Sequence, residues 1–205
     1  SHRFKILGNR GGQEAKVKLL YLDTETTGLD PTKHGIIQIA GIIEVDRVVK
    51  ETFNLNCQLF RGQMVSEAAI KTNGITMDQI RAFPLPAITY KQIEIIFDRY
   101  IDRYDKGDKF YLVGQNPSFD YGFLNEWFKK NGSYYLYAYI FYWKIDLITI
   151  TTLFKMAGRI GPENAKLETL ARFFGIEIKA HDAMSDITVT REIFLRFIDM
   201  AKGSA

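Results

Sequence analysis

The ten-residue stretch LLYLDTETTG (residues 19–28) decides the fold class, because it joins a compact apolar run to two closely spaced acids. The apolar residues 19–22 are typical of a buried β-strand. Side chains alternate between the two faces of a strand, so Asp23 and Glu25 project to the same side. Two carboxylates on one face repel each other. A hard divalent cation such as Mg²⁺ or Mn²⁺ relieves that repulsion, because it prefers oxygen ligands.

The same stretch ends at Gly28, which permits a tight turn with exposed backbone N–H groups. Such groups can bind a phosphate or a terminal hydroxyl. An Asp-x-Glu pair alone is also common at the solvated end of a strand, and that alternative stays open for the pair by itself. The complete string DTETTG (residues 23–28) is much more specific and favours a metal site.

The rest of the chain predicts a mixed α/β domain, with a strand meander first and then a strand among helices. Further strands are expected at 36–45, 48–60 and 110–113, with Asp46-Arg47 as the hairpin connection between the first two. Short helices are expected at 66–73 and 76–82, and longer ones at 88–104, 117–130, 145–157, 166–174 and 183–201. The aromatic segment Tyr134–Trp143 fits a strand or a helix start, and we expect it in the core rather than in a subunit contact.

A second acid, Asp120, follows the strand at 110–113. Asn116 is a suitable helix N-cap, and Pro117 suits the first helical position. Asp120 should therefore lie in the first turn of a helix, where the helix dipole favours a carboxylate. It is either a metal ligand or an acid that only stabilises the helix start.

A third group precedes the last helix and contains His181 and Asp186. A spacing of five does not place two residues on one helix face, so we expect His181 in the loop and Asp186 in the first turns. Histidine titrates near neutral pH and can take a proton from water. Asp182 is expected to cap or begin the helix. His34, in a Lys-His-Gly turn, is expected to be solvent-exposed and incidental.

Composition limits the class of protein. The chain has 205 residues, a net charge of +3, a pI near 8.8 and one cysteine, Cys57. We expect one domain at 19–201 after a polar lead-in at 1–18, whose Ser1-His2 is typical of a tag remnant. A reducing, cytoplasmic location without membrane contact is expected, because the chain offers neither a disulfide pair nor a long apolar run. The weakly basic charge permits a polyanionic partner.

Taken together, residues 19–197 resemble the DEDDh family of 3′–5′ exonucleases. The acids of the opening stretch match the first motif, Asp120 the second, and His181 with Asp186 the third. The connecting segments 36–40, 73–76 and 167–176 also fit. Gln115 is a departure, since relatives often carry histidine there, and it points to altered substrate contacts rather than lost catalysis.

The resemblance implies an RNase H-like fold, a mixed five-stranded sheet flanked by helices, and two divalent ions, Mg²⁺ or Mn²⁺. It implies that Asp23 bridges both ions, that Glu25 and Asp186 bind the first, and that Asp120 acts on the second. His181 is implied as the general base that deprotonates the attacking water. The implied substrate-binding residues are Thr26, Thr27, Gly28 and Leu29, which would line the pocket of the terminal nucleotide with Leu29 as a wedge, and Asn116, which would support the site.

The predicted function is removal of nucleoside 5′-monophosphates from DNA 3′ ends, single-stranded or frayed. One alternative is an exoribonuclease that trims RNA ends or short oligoribonucleotides. Another is a non-catalytic nucleic-acid-binding or scaffold module. The expected partner is a nucleic acid 3′ end, with DNA preferred over RNA. A proofreading role would require a polymerase partner.

Overall fold

The structure is a computed structural model that describes residues 16–178 and 183–203. Its centre is a five-stranded sheet with the order β3-β2-β1-β4-β5. The first three strands form an antiparallel meander, and β4 and β5 run parallel to β1. This arrangement confirms the predicted mixed five-stranded sheet. The strands are β1 (Lys18–Thr26), β2 (Ile36–Val45), β3 (Val48–Asn56), β4 (Tyr111–Gly114) and β5 (Ile145–Asp146).

Helices cover both faces of this sheet. They are α1 (Glu67–Asn73), α2 (Met77–Ala82), α3 (Pro86–Asp98), α4 (Pro117–Lys130), α5 (Leu147–Met156), α6 (Leu167–Phe174) and α7 (Ala183–Ala201). Leu20 and Leu22 of β1 face a core built with α3 and α4. Leu19 and Tyr21 face a second core built with α6 and α7. The alternation along β1 therefore places successive side chains in two different cores.

Several predicted boundaries are confirmed. Asp46 and Arg47 form the β2–β3 turn with φ values of 50° and 69°, the positive pair that a two-residue hairpin of type I′ requires. Thr76 caps α2 through a capping box with Gln79. Ser66 occupies the N-cap position of α1.

Other boundaries were wrong. The predicted strand 48–60 ends at Asn56, which pairs with Gln38. The Cys57 N–H still donates to the Ile37 carbonyl at 3.0 Å, but the Gln58 N–H turns to the Pro84 carbonyl at 2.8 Å, so the chain leaves β2 there. The predicted helix 88–104 is Pro86–Asp98, since Pro86 is the first helical residue rather than a break. The first two residues of the predicted helix 145–157 form strand β5 instead, and helix α5 covers Leu147–Met156.

The aromatic segment 134–143 divides between core and surface. Its centre is a 3₁₀ turn, Leu136–Ala138, and Leu136, Tyr139 and Ile140 are buried. The flanking residues Tyr142 and Trp143 are largely exposed, so the segment does not belong wholly to the core. Within residues 16–178 and 183–203, no helix is both long and apolar enough to cross a membrane.

Candidate active site at the end of β1

Strand β1 extends beyond its neighbour β4, and this difference in length opens the site. The parallel pairing with β4 covers residues 19–21 of β1. The antiparallel pairing with β2 continues past Asp23 and Glu25. After Gly114 the chain leaves the sheet and enters α4. The acidic half of β1 is therefore held on one side by β2 and is open on the side that β4 vacates.

Asp120 fills part of that opening. It lies in the first turn of α4 and is buried, 5% exposed. Its Oδ1 accepts hydrogen bonds from the backbone N–H of Thr24 at 2.9 Å and from the Thr24 hydroxyl at 2.8 Å. The carboxylate thus satisfies a strand N–H that β4 does not reach. Asp120 is consequently a helix-start acid and also a fixed contact between α4 and the acidic end of β1.

Four carboxylates influence one another here. Burial raises the pKa of Asp23 well above its usual range, and the nearby carboxylates of Asp120, Glu25 and Asp186 raise it further. Burial also raises the pKa of Asp120 to about 7, although the hydrogen bonds from Thr24 oppose this and the charge of Glu25 adds to it. The structure therefore brings together all four predicted acids, from β1, α4 and α7.

Three of these acids border a cleft of about 220 Å³. Asp23, Asp120 and Asp186 line one part of it, and Gln115, Lys166 and Glu168 contribute to the rest. Within residues 16–178 and 183–203, no three Asp, Glu, His or Cys side chains already form a metal-ligand shell.

The predicted general base, His181, lies outside the described residues, as does Asp182. Asp186 lies in the first turn of α7, as predicted.

The loop after β1 is held by its own threonines. The Thr27 hydroxyl donates to the Met64 carbonyl at 2.7 Å and accepts from the Gly35 N–H at 2.9 Å. The Thr26 hydroxyl donates to the Gly28 carbonyl at 2.8 Å. Thr27 is fully buried, so its side chain shapes the loop from within. At the tip, the Leu29 side chain is 83% exposed.

His34 supports the same loop, so the expectation of an exposed, incidental histidine was wrong. Its side chain is half-buried, and its Nδ1 lies 3.2 Å from the Asp30 backbone nitrogen. A β-carbon added at Gly28 would lie 2.2 Å from the His34 ring. Glycine is therefore required at position 28 because the imidazole occupies the space that a side chain would fill.

Asn116 takes the predicted N-cap position of α4 but does not cap the helix with its side chain. Its backbone is left-handed, with φ 56° and ψ 51°, whereas a capping side chain needs an extended backbone. Its N–H donates to the Asp146 carboxylate at 3.0 Å. The neighbouring Gln115 side chain donates to the Ala165 carbonyl. These two bonds connect the β4–α4 corner to β5 and to the segment before α6.

Sequence reasoning missed Thr24 and Asp146. Thr24 lies within the acidic motif, but alternation assigns its side chain to the opposite face from Asp23. Thr24 contacts Asp120 only because α4 lies beside the open edge of β1. Asp146 is the second residue of the two-residue strand β5, and it also caps α5 through a 2.9 Å bond from the Ile148 N–H to its carboxylate. A strand that short has no recognisable period.

A five-stranded mixed sheet with four acids gathered around the open end of β1 is the arrangement of nucleases with an RNase H-like fold. The chain belongs to the RNase_T exonuclease family, whose model matches residues 20–194. The resemblance drawn from the motifs is thereby confirmed, and so is the enzyme class, an exonuclease.

Two DNA polymerase III proteins are similar in sequence to this chain. The chain is 27% identical over 183 residues to a PolC-type DNA polymerase III of Thermotoga petrophila, covering 88% of this chain and 12% of that protein. It is 32% identical over 114 residues to the epsilon subunit of DNA polymerase III from Buchnera aphidicola, covering 53% and 44%. The chain thus spans less than half the length of either relative.

Solved structures confirm the fold. E. coli exonuclease I in complex with a dT13 oligonucleotide superposes with a TM-score of 0.71 and 22% identity, over 89% of this chain and 41% of that one. A zinc-bound form of the same enzyme with single-stranded DNA gives a TM-score of 0.72 and 22% identity, over 91% and 41%.

Proposed function

We propose that this chain is a divalent-metal-dependent 3′–5′ exonuclease that releases nucleoside 5′-monophosphates from DNA ends. The observation that carries the proposal is the group of four acids, Asp23, Glu25, Asp120 and Asp186, at the open end of β1 in an exonuclease fold. DNA is the proposed substrate because the relatives are DNA polymerases and a DNA-bound exonuclease. Because two of these relatives are DNA polymerase III proteins, we also propose a replicative polymerase as a partner or as a neighbouring domain.

The donor set fits hard cations. All the ligands are carboxylate oxygens, the type that Mg²⁺ and Mn²⁺ prefer. The groups that raise the pKa of Asp23 are other carboxylates, so bound cations would stabilise the ionised acids. We propose that these four residues hold two ions, with Asp23 shared between them. When bound, such a pair neutralises the charge of the phosphodiester oxygens as the bond to the leaving oxygen breaks.

The remaining residues position the ligands and the substrate, and one of them accepts a proton. Thr24 holds Asp120 in one orientation through two hydrogen bonds, so this ligand needs little rearrangement. The loop 26–29 would hold the terminal nucleotide, with the exposed Leu29 side chain against its base. We propose that His181 accepts the proton of the attacking water. Replacing His181 with Ala should lower turnover by about 10²–10⁴-fold, the usual effect of losing a general base.

The direction in which the DNA is digested and the identity of the released product test the proposal. A single-stranded DNA labelled at its 5′ end should give a ladder that shortens from the 3′ end, with nucleoside 5′-monophosphates as the product. Asp23→Asn should abolish this ladder, because it removes the shared ligand. Asp78→Asn is the matched control, since that carboxylate is 92% exposed on α2. Internal cuts, 3′-phosphate products or shortening from the 5′ end would contradict the proposal.

The substrate assignment needs its own comparison. Matched DNA and RNA strands should be digested side by side under the same metal concentration. We expect a higher kcat/KM on DNA. A clear preference for RNA would assign the chain to RNA trimming, and binding of either strand without hydrolysis would assign it to the non-catalytic class.

A further inference from the structure

A cluster of aromatic side chains and one lysine lies next to the acidic site. We call it the aromatic–lysine patch; it consists of Tyr121, Phe141, Tyr142, Trp143 and Lys144. The patch is connected to the site at two points. Tyr121 directly follows Asp120 on α4, and the Lys144 Nζ lies 4.2 Å from the centre of the Tyr121 ring.

The second connection runs through β5. Residues 141–144 lead into this strand, whose Asp146 carboxylate accepts the N–H of Asn116 at 3.0 Å. Asn116 precedes α4, which carries Asp120. The patch therefore lies along the β5 edge of the sheet, on the same structural elements that position a proposed metal ligand.

Two aromatic rings of the patch, those of Tyr142 and Trp143, are exposed, and the second is held in place. Trp143 is 60% exposed, and its ring stacks on Phe141 with centroids 5.3 Å apart and planes 9° apart. Phe141 in turn packs against Tyr111 of β4 at 4.7 Å. One face of the indole is thus fixed against the sheet edge while the side chain remains largely in solvent. Tyr142 beside it is 87% exposed. Folding alone does not account for such exposed rings.

Lys144 places a positive charge between two of these rings. Its Nζ lies 5.5 Å from the Tyr142 ring centre and donates to the Tyr142 carbonyl at 3.1 Å. In the part of the chain that the structure describes, no carboxylate forms an ion pair with it. The cation–π contacts orient the ammonium without neutralising it. The charge remains available to a phosphate.

We propose that the aromatic–lysine patch binds the single-stranded DNA immediately upstream of the 3′-terminal nucleotides. Lys144 contacts a backbone phosphate, and the solvent face of Trp143 stacks on a base. The combination of a cation that follows the backbone with aromatic rings under the bases is the general means of sequence-tolerant single-strand binding. The proposal rests on the proposed function for the location of the 3′ end.

Two variants test the patch, and a third is the control. Trp143→Ala removes the stacking ring, and Lys144→Gln removes the charge while keeping most of the stem. Tyr104→Ala is matched, because Tyr104 is 85% exposed and has the Arg103 guanidinium 5.6 Å from its ring centre. Tyr104 lies in the connection between α3 and β4, and it belongs neither to the patch nor to the lining of the cleft.

The first measurement is equilibrium binding of a fluorescent oligo-dT strand of about twelve nucleotides, with chelator present so that hydrolysis does not intervene. Trp143→Ala should weaken binding about tenfold, within the range for one lost stacked base. Lys144→Gln should weaken binding and reduce the slope of log Kd against log salt by about 0.7, the value for one phosphate contact on a single strand. Tyr104→Ala should bind like the parent chain.

The second measurement is the ratio of kcat/KM on that strand to kcat/KM on a dinucleotide, which is too short to reach the patch. This ratio should fall by about tenfold in Trp143→Ala, in line with the loss of one stacked base. Unchanged binding and an unchanged ratio in both variants would overturn the patch proposal while leaving the exonuclease proposal intact. Absence of hydrolysis on every DNA would instead refute the proposed function, and the binding measurement would still decide on the patch.

Discussion

Replacing Asp120 with asparagine should stabilise the metal-free protein while it removes a proposed ligand. Asparagine keeps the oxygen that accepts both hydrogen bonds from Thr24. It eliminates a buried charge that faces other carboxylates. A site that gathers carboxylates to hold cations should lower the free energy of unfolding when no cation is bound. The substitution removes one of these charges but leaves the packing of α4 unchanged.

The magnitude follows from the pKa of Asp120, which burial raises from 3.8 to about 7. About three pKa units correspond to about 4 kcal/mol as an upper limit. The hydrogen bonds from Thr24 lower this pKa and are therefore already included in it. We expect Asp120→Asn to raise the free energy of unfolding by up to about 4 kcal/mol at about pH 8.

The pH dependence has a defined sign. An acid whose pKa is raised by folding releases its proton at higher pH in the folded state than in the unfolded state. The free energy of unfolding of the parent chain should therefore fall between about pH 4 and about pH 7 in the absence of metal. The variant should lose this part of the slope. Below about pH 4 the parent and the variant should be equally stable, because the acid is then protonated in both states.

Urea denaturation in the presence of chelator, followed by tryptophan fluorescence across this pH range, measures the effect. Asp78→Asn provides the control, since its side chain is 92% exposed and should give the parent profile. If Asp120→Asn does not have a higher free energy of unfolding than the parent at about pH 8, the buried charge of Asp120 does not destabilise the metal-free protein.

Two further substitutions test the supports of the site by urea denaturation. Gly28→Ala should destabilise the chain by about 1–3 kcal/mol, the cost of overpacking, because its β-carbon would lie 2.2 Å from the His34 ring. Arg191→Ala should cost about 3–5 kcal/mol, because the substitution leaves Glu44, only 1% exposed, without the guanidinium that now lies 2.7 Å from it.

Each of these substitutions has a matched control in the chain. Gly161→Ala should be almost neutral, because a β-carbon there meets no atom within 4 Å. Arg172→Ala should change stability by no more than about 0.5 kcal/mol, since its ion pair with Glu163 is exposed on both sides. Equal effects in a substitution and its control would show that the contact in question contributes little.

The fold and the acids were predictable because they depend on local patterns. The period of two along β1 places Asp23 and Glu25 on one face, whatever packs against them. The Asp46-Arg47 hairpin follows from the two strands on either side of it. These features require no knowledge of distant parts of the chain.

The features that escaped prediction depend on distant contacts. Asp120 and Thr24 are 96 residues apart in sequence, and their bond exists because β4 is shorter than β1. Asn116 takes a left-handed backbone because its N–H is held by Asp146, 30 residues away. His34 is half-buried because a glycine six residues earlier leaves room for its ring. Local propensity carries no information about such partners.

The most direct test of the central claim is a metal titration of nucleotide release from a DNA 3′ end. The purified chain is treated with chelator, transferred to metal-free buffer and titrated with Mg²⁺ or Mn²⁺, in parallel with Asp23→Asn. We expect no release without metal, saturable recovery in the parent chain and no recovery in the variant. Release of nucleoside 5′-monophosphates without divalent metal, or full recovery in Asp23→Asn, would contradict it.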